Sequence, residues 1–487
     1  MTDSAVPASF RDRVIRSLYW QAGGQLTGQV FSWVISIFIV RILSPADFGL
    51  VAMAGLLTTL LAMVAELGIG ASAIQAEKLS RDQLRSMASV IYSMHGAAFV
   101  LSFLLAPLVA LAFHEPGVTP VLRALSVTFL LISLYVLPES LLARELRFRE
   151  KASAELAATV AAAITSLSIA LAGGGVWALV GSMLMLHAAK AVLFNAAVRM
   201  PLVPRWSAET VRPYLQYGSV VMFAQIAYYA YANVDVAIGG RVLGKELLGL
   251  YVLTLTIASI PLDKILPAVT KVSFAAFARI QSEPERVIRN LLRGVRISSL
   301  MSFPFFFGLA VVAPDCIPLV LGDKWSGIIL PLRILCLVFP FRAVAVILPP
   351  ALFAIGRPGV NLGNVLVGLV IMTVAFLVGV RSGVVGLAIA WAIAYPVVFL
   401  ITATRVLGIL GVPVRDFARA VAPPAVAGAL MGAAIALLRS SLPIPIIPLR
   451  LAVDVLAGGA IYAALLLPVR RHAFGDLRVL FGRGEQA

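Results

Sequence analysis

Residues 41–50 read Arg-Ile-Leu-Ser-Pro-Ala-Asp-Phe-Gly-Leu, and residues 241–250 read Arg-Val-Leu-Gly-Lys-Glu-Leu-Leu-Gly-Leu. Arg41, Leu43, Gly49 and Leu50 meet Arg241, Leu243, Gly249 and Leu250 without a gap, and Gln25 meets Gln225 in the same register. Each copy sits between two long apolar runs, so the repeated unit is a helix, a turn and a second helix. In the first copy Ser44 is placed to cap the second helix. Pro45 suits its first turn, where a missing N–H costs nothing, and Asp47 faces the positive end of its dipole.

The composition places these helices in a bilayer. Of 487 residues 61% are hydrophobic and 13% charged, against roughly 25% charged in soluble domains. A net charge of +16 raises nucleic acid as a partner, and the position of the charge decides against it, because the cations fall in short loops between apolar runs. Cys316 and Cys336 are too few for a disulfide framework and read as packing residues. The apolar run after Arg11, Arg13 and Arg16 is too long for a signal-peptide core, so it is expected to stay as a helix.

Runs of roughly 20 apolar residues cross the hydrocarbon core. Expected spans are 17–40, 46–72, 86–113, 119–142, 153–172, 176–198, 213–240, 246–278, 290–313, 326–355, 358–379, 383–404, 417–437 and 449–468, fourteen in all. Gly173-Gly174-Gly175 supplies the left-handed backbone for a tight turn. With both termini in the cytoplasm, most of the 39 Lys and Arg fall on the cytoplasmic side. Arg144, Arg147, Arg149 and Lys151 are one such group, and Arg470, Arg471, Arg478 and Arg483 another, as the positive-inside rule requires.

An even number of crossings separates the two copies of the repeat, so both face the same way. A second echo pairs Gly175, Val176 and Leu179 with Gly383, Val384 and Leu387. The expected fold is an all-α polytopic membrane protein. It has two six-helix lobes, 17–200 and 213–406, related by a pseudo-two-fold axis along the membrane normal, with substrate held between them. A further helix pair, 417–468, carries the small residues Ala425, Ala427, Gly428, Gly432 and Ala433, and a basic cytoplasmic tail spans 469–487.

The Arg-x-Leu-Ser-Pro-x-Asp-Phe-Gly-Leu turn, Asn233-x-Asp235 ahead of Ile238-Gly239-Gly240-Arg241-Val242-Leu243-Gly244, and Leu248-Gly249-Leu250-Tyr251 together carry a family resemblance. The chain resembles the Wzx-type polysaccharide flippases, in the superfamily that also holds the lipid II flippases and the multidrug and toxin extruders. The resemblance implies alternating-access transport of an undecaprenyl-pyrophosphate-linked oligosaccharide from the cytoplasmic to the periplasmic leaflet of a bacterial inner membrane. The implied partners are that glycan and the membrane lipids, with a polysaccharide polymerase and chain-length or export proteins as further ones. The family has no sharp catalytic signature to transfer.

A lipid-linked sugar presents an anionic pyrophosphate, a hydroxyl-rich head and an apolar tail. Ionised groups inside helices cost about 2.5–3.5 kcal/mol each and so face protein or water. The intramembrane cations are Lys190, Lys264, Lys271, Arg296, Arg333 and Arg342. Lys264 and Lys271 share a helix face beside Pro261 and Pro267, which break the helix. Either lysine binds the phosphates, or Lys264 pairs with Asp263 and Lys271 snorkels to the interface. Arg333 lies shallow and Arg342 deep, which favours Arg342 as the phosphate ligand; Arg296 reads as an interfacial anchor. Gln25 lies on a polar stripe of the first helix, answered by Gln225, Tyr228, Tyr229 and Asn233 on the seventh. These are either sugar-facing groups or interhelical hydrogen bonds. Asp235 is the candidate for a coupling ion or an internal ion pair. His95 and His187 read as core histidines, and Lys190 beside His187 as the extension of a basic wall.

Neither a metal-ligand spacing nor a phosphate-cradling glycine loop is present, so no cofactor, metal, catalytic residue or ATP drive is expected. The competing readings are a drug or cation antiporter of the same superfamily and, further off, a membrane-embedded polysaccharide polymerase. The antiporter would need an acidic drug site, and the polymerase a sizeable outer loop.

Overall fold

The computed structural model describes residues 33–66, 73, 80–198, 208–264, 284–442 and 444–467, with the backbone alone described at 208–222, 263, 264 and 284. All regular secondary structure among them is helical. In chain order the helices are α1 (Trp33–Ile42), α2 (Pro45–Glu66), α3 (Arg81–Phe113), α4 (Val118–Arg144), α5 (Phe148–Leu171), α6 (Val176–Val198) and α7 (Ala208–Lys264). Then come α8 (Pro284–Leu321), α9 (Ile329–Ala345), α10 (Leu348–Ala354), α11 (Pro358–Gly379), α12 (Gly383–Leu410), α13 (Val414–Ser441) and α14 (Ile447–Leu466).

Most ends lie within a few residues of those read from the sequence. Among the described residues, eleven helical stretches are long and apolar enough to cross a membrane, two of which contain a sharp break. One break is at Gly244, whose φ of 73° divides α7 into two arms; the other is at Val380–Ser382 and Gly383, between α11 and α12. The count of fourteen crossings includes residues outside the described ones and stays an expectation. The expected span 326–355 is α9 and α10, entered through a 3-10 turn at Asp323–Ile328. Gly173 and Gly175 take positive φ, as the turn between α5 and α6 requires.

The apolar faces divide between lipid and core. Leu104, Leu108 and Leu111 are more than half exposed along one stripe of α3. This is unaffordable in water and expected against acyl chains. Inside, the packing residues are small on α5, where Ala154, Ala158, Ala162 and Ala170 let α6 approach closely.

The chain forms two compact units. The first comprises the described residues up to Tyr229 together with Gly244–Gly249; the second comprises Ala230–Leu243 and the residues from Leu250 onward. Within the first unit the two copies of the repeat lie against each other. A methyl group at Gly49 would stand 1.8 Å from the carbonyl oxygen of Lys245, and one at Gly249 would stand 1.8 Å from that of Pro45. Ahead of the contact, the Ser44 amide and hydroxyl donate to Asp47 Oδ2 at 2.8 and 2.7 Å, so Ser44 and Asp47 cap α2 together. Lys245 closes on Glu115 at 3.2 Å.

The second unit has an aromatic core, with Phe303, Phe341, Phe399 and Phe417 in edge and tilted contacts across α8, α9, α12 and α13. An ionic cluster docks the last two helices on α8. Arg439 of α13 binds Asp454 of α14 at 2.6 Å and Asp315 of α8 at 2.8 Å, and it donates to the Val311 carbonyl at 3.0 Å; Arg450 closes on Asp315. Arg439 and Arg450 lie near helix ends, drawn into the protein by these two carboxylates.

Candidate functional site

Asp235 is the buried carboxylate of the second unit, with 1% of its surface exposed. It lies on the first arm of α7, and Tyr251, on the second arm, returns to it across the break at Gly244. Tyr251 donates its hydroxyl to Asp235 Oδ2 at 2.6 Å, and the Trp391 indole N–H lies 3.2 Å from the same oxygen and 3.0 Å from the Tyr251 hydroxyl oxygen. The Val236 amide donates to Asp235 Oδ1 at 2.8 Å. Arg342 of α9 interacts electrostatically with Asp235, and its guanidinium lies 5.1 Å from the ring centroids of both Phe339 and Trp391. The carboxylate oxygens are thus held by hydrogen-bond donors beside a nearby cation, and that guanidinium lies over two aromatic faces.

This arrangement can exchange charge. Adding a proton or a monovalent cation at Asp235 would change the field at Arg342, which is half-buried. Sequence reading named Asp235 and Arg342 separately and missed Trp391. The available signal was a lone indole in an otherwise apolar helix, since a buried Trp N–H has to find an acceptor.

The other expected residues are scattered. Gln25 and Lys271 lie outside the described residues, and Lys264 ends α7 with its side chain undescribed. Gln225 and Tyr228 are exposed, and Asn233 is half-buried. Tyr229 donates its hydroxyl to the Leu56 carbonyl at 2.7 Å, the interhelical use of the polar stripe. Arg333 is exposed while Arg342 is not, as expected for positions half a turn out of phase. Lys190 lies in the first unit, with Nζ 5.6 Å over the Tyr135 ring. His95 is a core histidine bonded to the Ile91 carbonyl, whereas His187 shares a hydrogen bond with Tyr135. No cluster of metal-ligating residues occurs among the described residues.

Helices of this length and polarity, with a buried charged nest, define a polytopic helical membrane protein of a transporter fold. The profile of the family described as "Polysaccharide biosynthesis protein" matches residues 38–330, and the chain belongs to that family. It is 27% identical over 342 residues to the lipopolysaccharide biosynthesis protein WzxC of Escherichia coli (strain K12), covering 69% of each chain. It is 25% identical over 321 residues to the succinoglycan biosynthesis transport protein ExoT of Rhizobium meliloti (strain 1021), covering 64% of this chain and 63% of the relative. Among solved structures, the fold is similar to "Lipid II flippase MurJ, inward closed conformation", with a TM-score of 0.73 at 13% identity over 92% of this chain and 99% of that one.

Proposed function

We propose that this protein is a lipid-linked oligosaccharide flippase. It moves undecaprenyl-pyrophosphate-linked repeat units across the bacterial inner membrane by alternating access, for exopolysaccharide or lipopolysaccharide biosynthesis, and has no enzymatic activity of its own. The observation that carries this reading is the family match over residues 38–330, which includes both copies of the repeat. The printed names of WzxC and ExoT, and the fold shared with a lipid II flippase, support it.

In this reading the six-helix lobes 17–200 and 213–406 alternate around the glycan, and both termini are cytoplasmic. Arg342 and Lys264 meet the diphosphate, with Lys271, Arg333 and Lys190 as further cations. Gln25, Gln225, Tyr228 and Asn233 serve the sugar, Tyr229 ties its helix to Leu56, and Asp235 binds the coupling ion. Fixed cations lower the cost of moving a diphosphate far more in a low-dielectric cavity than they would in water.

The test is transport by the purified full chain in vesicles. A fluorescent undecaprenyl-pyrophosphate glycan in the inner leaflet should become accessible outside, and an organic cation should not be extruded. Movement of the cation without the glycan would favour the antiporter reading.

A further inference from the structure

Trp391 meets both charged groups of the second unit's nest with different parts of one ring. Its indole N–H lies 3.2 Å from Asp235 Oδ2, and its face carries the Arg342 guanidinium 5.1 Å from the ring centroid. An indole suits opposite charges in this way, because its quadrupole is positive at the edge and negative on the face. The ring itself is held in place by Phe339, Phe376 and Tyr395, with centroids 5.6, 5.6 and 5.5 Å away.

Arg342 and Asp235 interact electrostatically but form no salt bridge with each other. The Asp235 oxygens accept from Tyr251, Trp391 and the Val236 amide instead. Among the described residues, none accepts a hydrogen bond from the Arg342 guanidinium, although such a group carries five N–H donors. Arg439 shows the usual outcome when a carboxylate is within reach: its Nε and Nη2 donate to Asp454 Oδ2 at 2.8 and 2.6 Å.

Asp235, Tyr251, Trp391 and Phe339 are at most 3% exposed, whereas Arg342 is half-buried. The nest therefore meets its surroundings through a guanidinium seated on two rings with its donors unengaged. A planar fork of N–H groups in that state is suited to the oxygens of a phosphate.

We propose that Trp391 is a positioning residue: its indole keeps the Arg342 guanidinium off the Asp235 carboxyl, so that the guanidinium N–H groups stay available for the oxygens of a lipid-linked diphosphate. Without the indole, Arg342 closes on Asp235 as Arg439 closes on Asp454, and the anion loses its receptor. That Arg342 receives a diphosphate rests on the flippase reading. That Trp391 holds Arg342 away from Asp235 rests on the geometry alone.

Two measurements on the full chain in detergent keep those parts separate. The first needs no ligand: the thermal midpoints of Arg342→Ala, Asp235→Asn and the double variant are compared in the native background and in Trp391→Leu. The departure from additivity should be at least twofold larger in Trp391→Leu, where the two groups can pair. An equal or smaller departure overturns the role of Trp391. Trp391→Met, whose flexible side chain refills more of the space, replaces Trp391→Leu if the latter does not fold.

The second is a calorimetric titration with farnesyl diphosphate, a short lipid diphosphate, and with farnesol as its uncharged control. The native chain should bind the diphosphate at least tenfold more tightly than the alcohol, and Trp391→Leu should lose that margin although Arg342 is still present. Adding Asp235→Asn to Trp391→Leu should recover at least threefold, because an amide does not hold a guanidinium as a carboxylate does. A tryptophan that only filled space would give no such recovery. A margin that survives Trp391→Leu, or a double variant that recovers nothing, also overturns the proposal. If the native chain binds both lipids alike, or Arg342→Ala binds the diphosphate as the native chain does, while the thermal cycle behaves as expected, the diphosphate reading of Arg342 fails and the spacing role of Trp391 stands.

Discussion

Gly49 and Gly249 make the same contact in reverse: each meets the backbone carbonyl of the residue four positions before the other, Lys245 for Gly49 and Pro45 for Gly249. The two copies of the repeat therefore cross through a local two-fold relation, with Cα–H groups against carbonyl oxygens and no room for a side chain. Gly49→Ala and Gly249→Ala should each force the backbones apart, costing about 1–3 kcal/mol and lowering the thermal midpoint in detergent. The double variant should lose less than the two single losses combined, because the first methyl group already separates the helices. An unchanged midpoint in both single variants would contradict the contact.

The nest around Asp235 separates charge from shape. Tyr251→Phe removes one donor from a fully buried carboxylate and should cost about 1–3 kcal/mol, read as a lower thermal midpoint. Asp235→Asn keeps the size and an acceptor for Tyr251 but removes the charge that Arg342 senses. It should leave the membrane level near native while reducing polymer export at least tenfold. Export at the native level in Asp235→Asn would leave the carboxylate as a packing group only.

Arg439 is the hub on which α13 and α14 dock against α8. Asp454, 2% exposed, would be left as an unpaired buried charge in Arg439→Ala, and Asp315 would keep only Arg450. Breaking such a pair from one side costs about 3–5 kcal/mol. Arg439→Ala combined with Asp454→Ala should be less damaging than the two losses added together. The measurement is a double-mutant cycle on thermal stability, and strict additivity would show that the pair is not coupled.

Alanine at Arg342 or at Lys264 should abolish export without loss of protein from the membrane. Lys264→Arg should restore part of the activity because charge is kept. Arg342→Gln should not, because it lacks both the charge and the flat guanidinium that lies between Phe339 and Trp391. Complementation of polymer export, with immunoblotting of membranes, reads both effects; normal export in both alanine variants would place the cation site elsewhere.

Much of this fold was legible from local chemistry. Span length, the end signals at Ser44 and Pro45 and the turn at Gly173-Gly174-Gly175 are properties of a few neighbouring residues in a known solvent. They give the same answer with or without the rest of the chain. The 200-residue offset is equally local, since it needs only two strings to be compared, and the resemblance to the polysaccharide flippases came with it.

Partners across helices were not legible, because a helix face has no mark in the sequence to say which neighbour it meets. Trp391 lies 156 positions from Asp235, and Glu139 reaches Lys151 across a helix turn that sequence reading had placed in solvent. Nothing in the sequence pairs Arg439 and Arg450 with Asp315 and Asp454, which lie beside them in the fold. The chain alone determined that this is a polytopic helical membrane protein built on a repeat, because the bilayer allows few ways to satisfy a backbone. Tertiary structure alone decided which charges are neutralised in pairs and which stand exposed, because those energies depend on distance and burial.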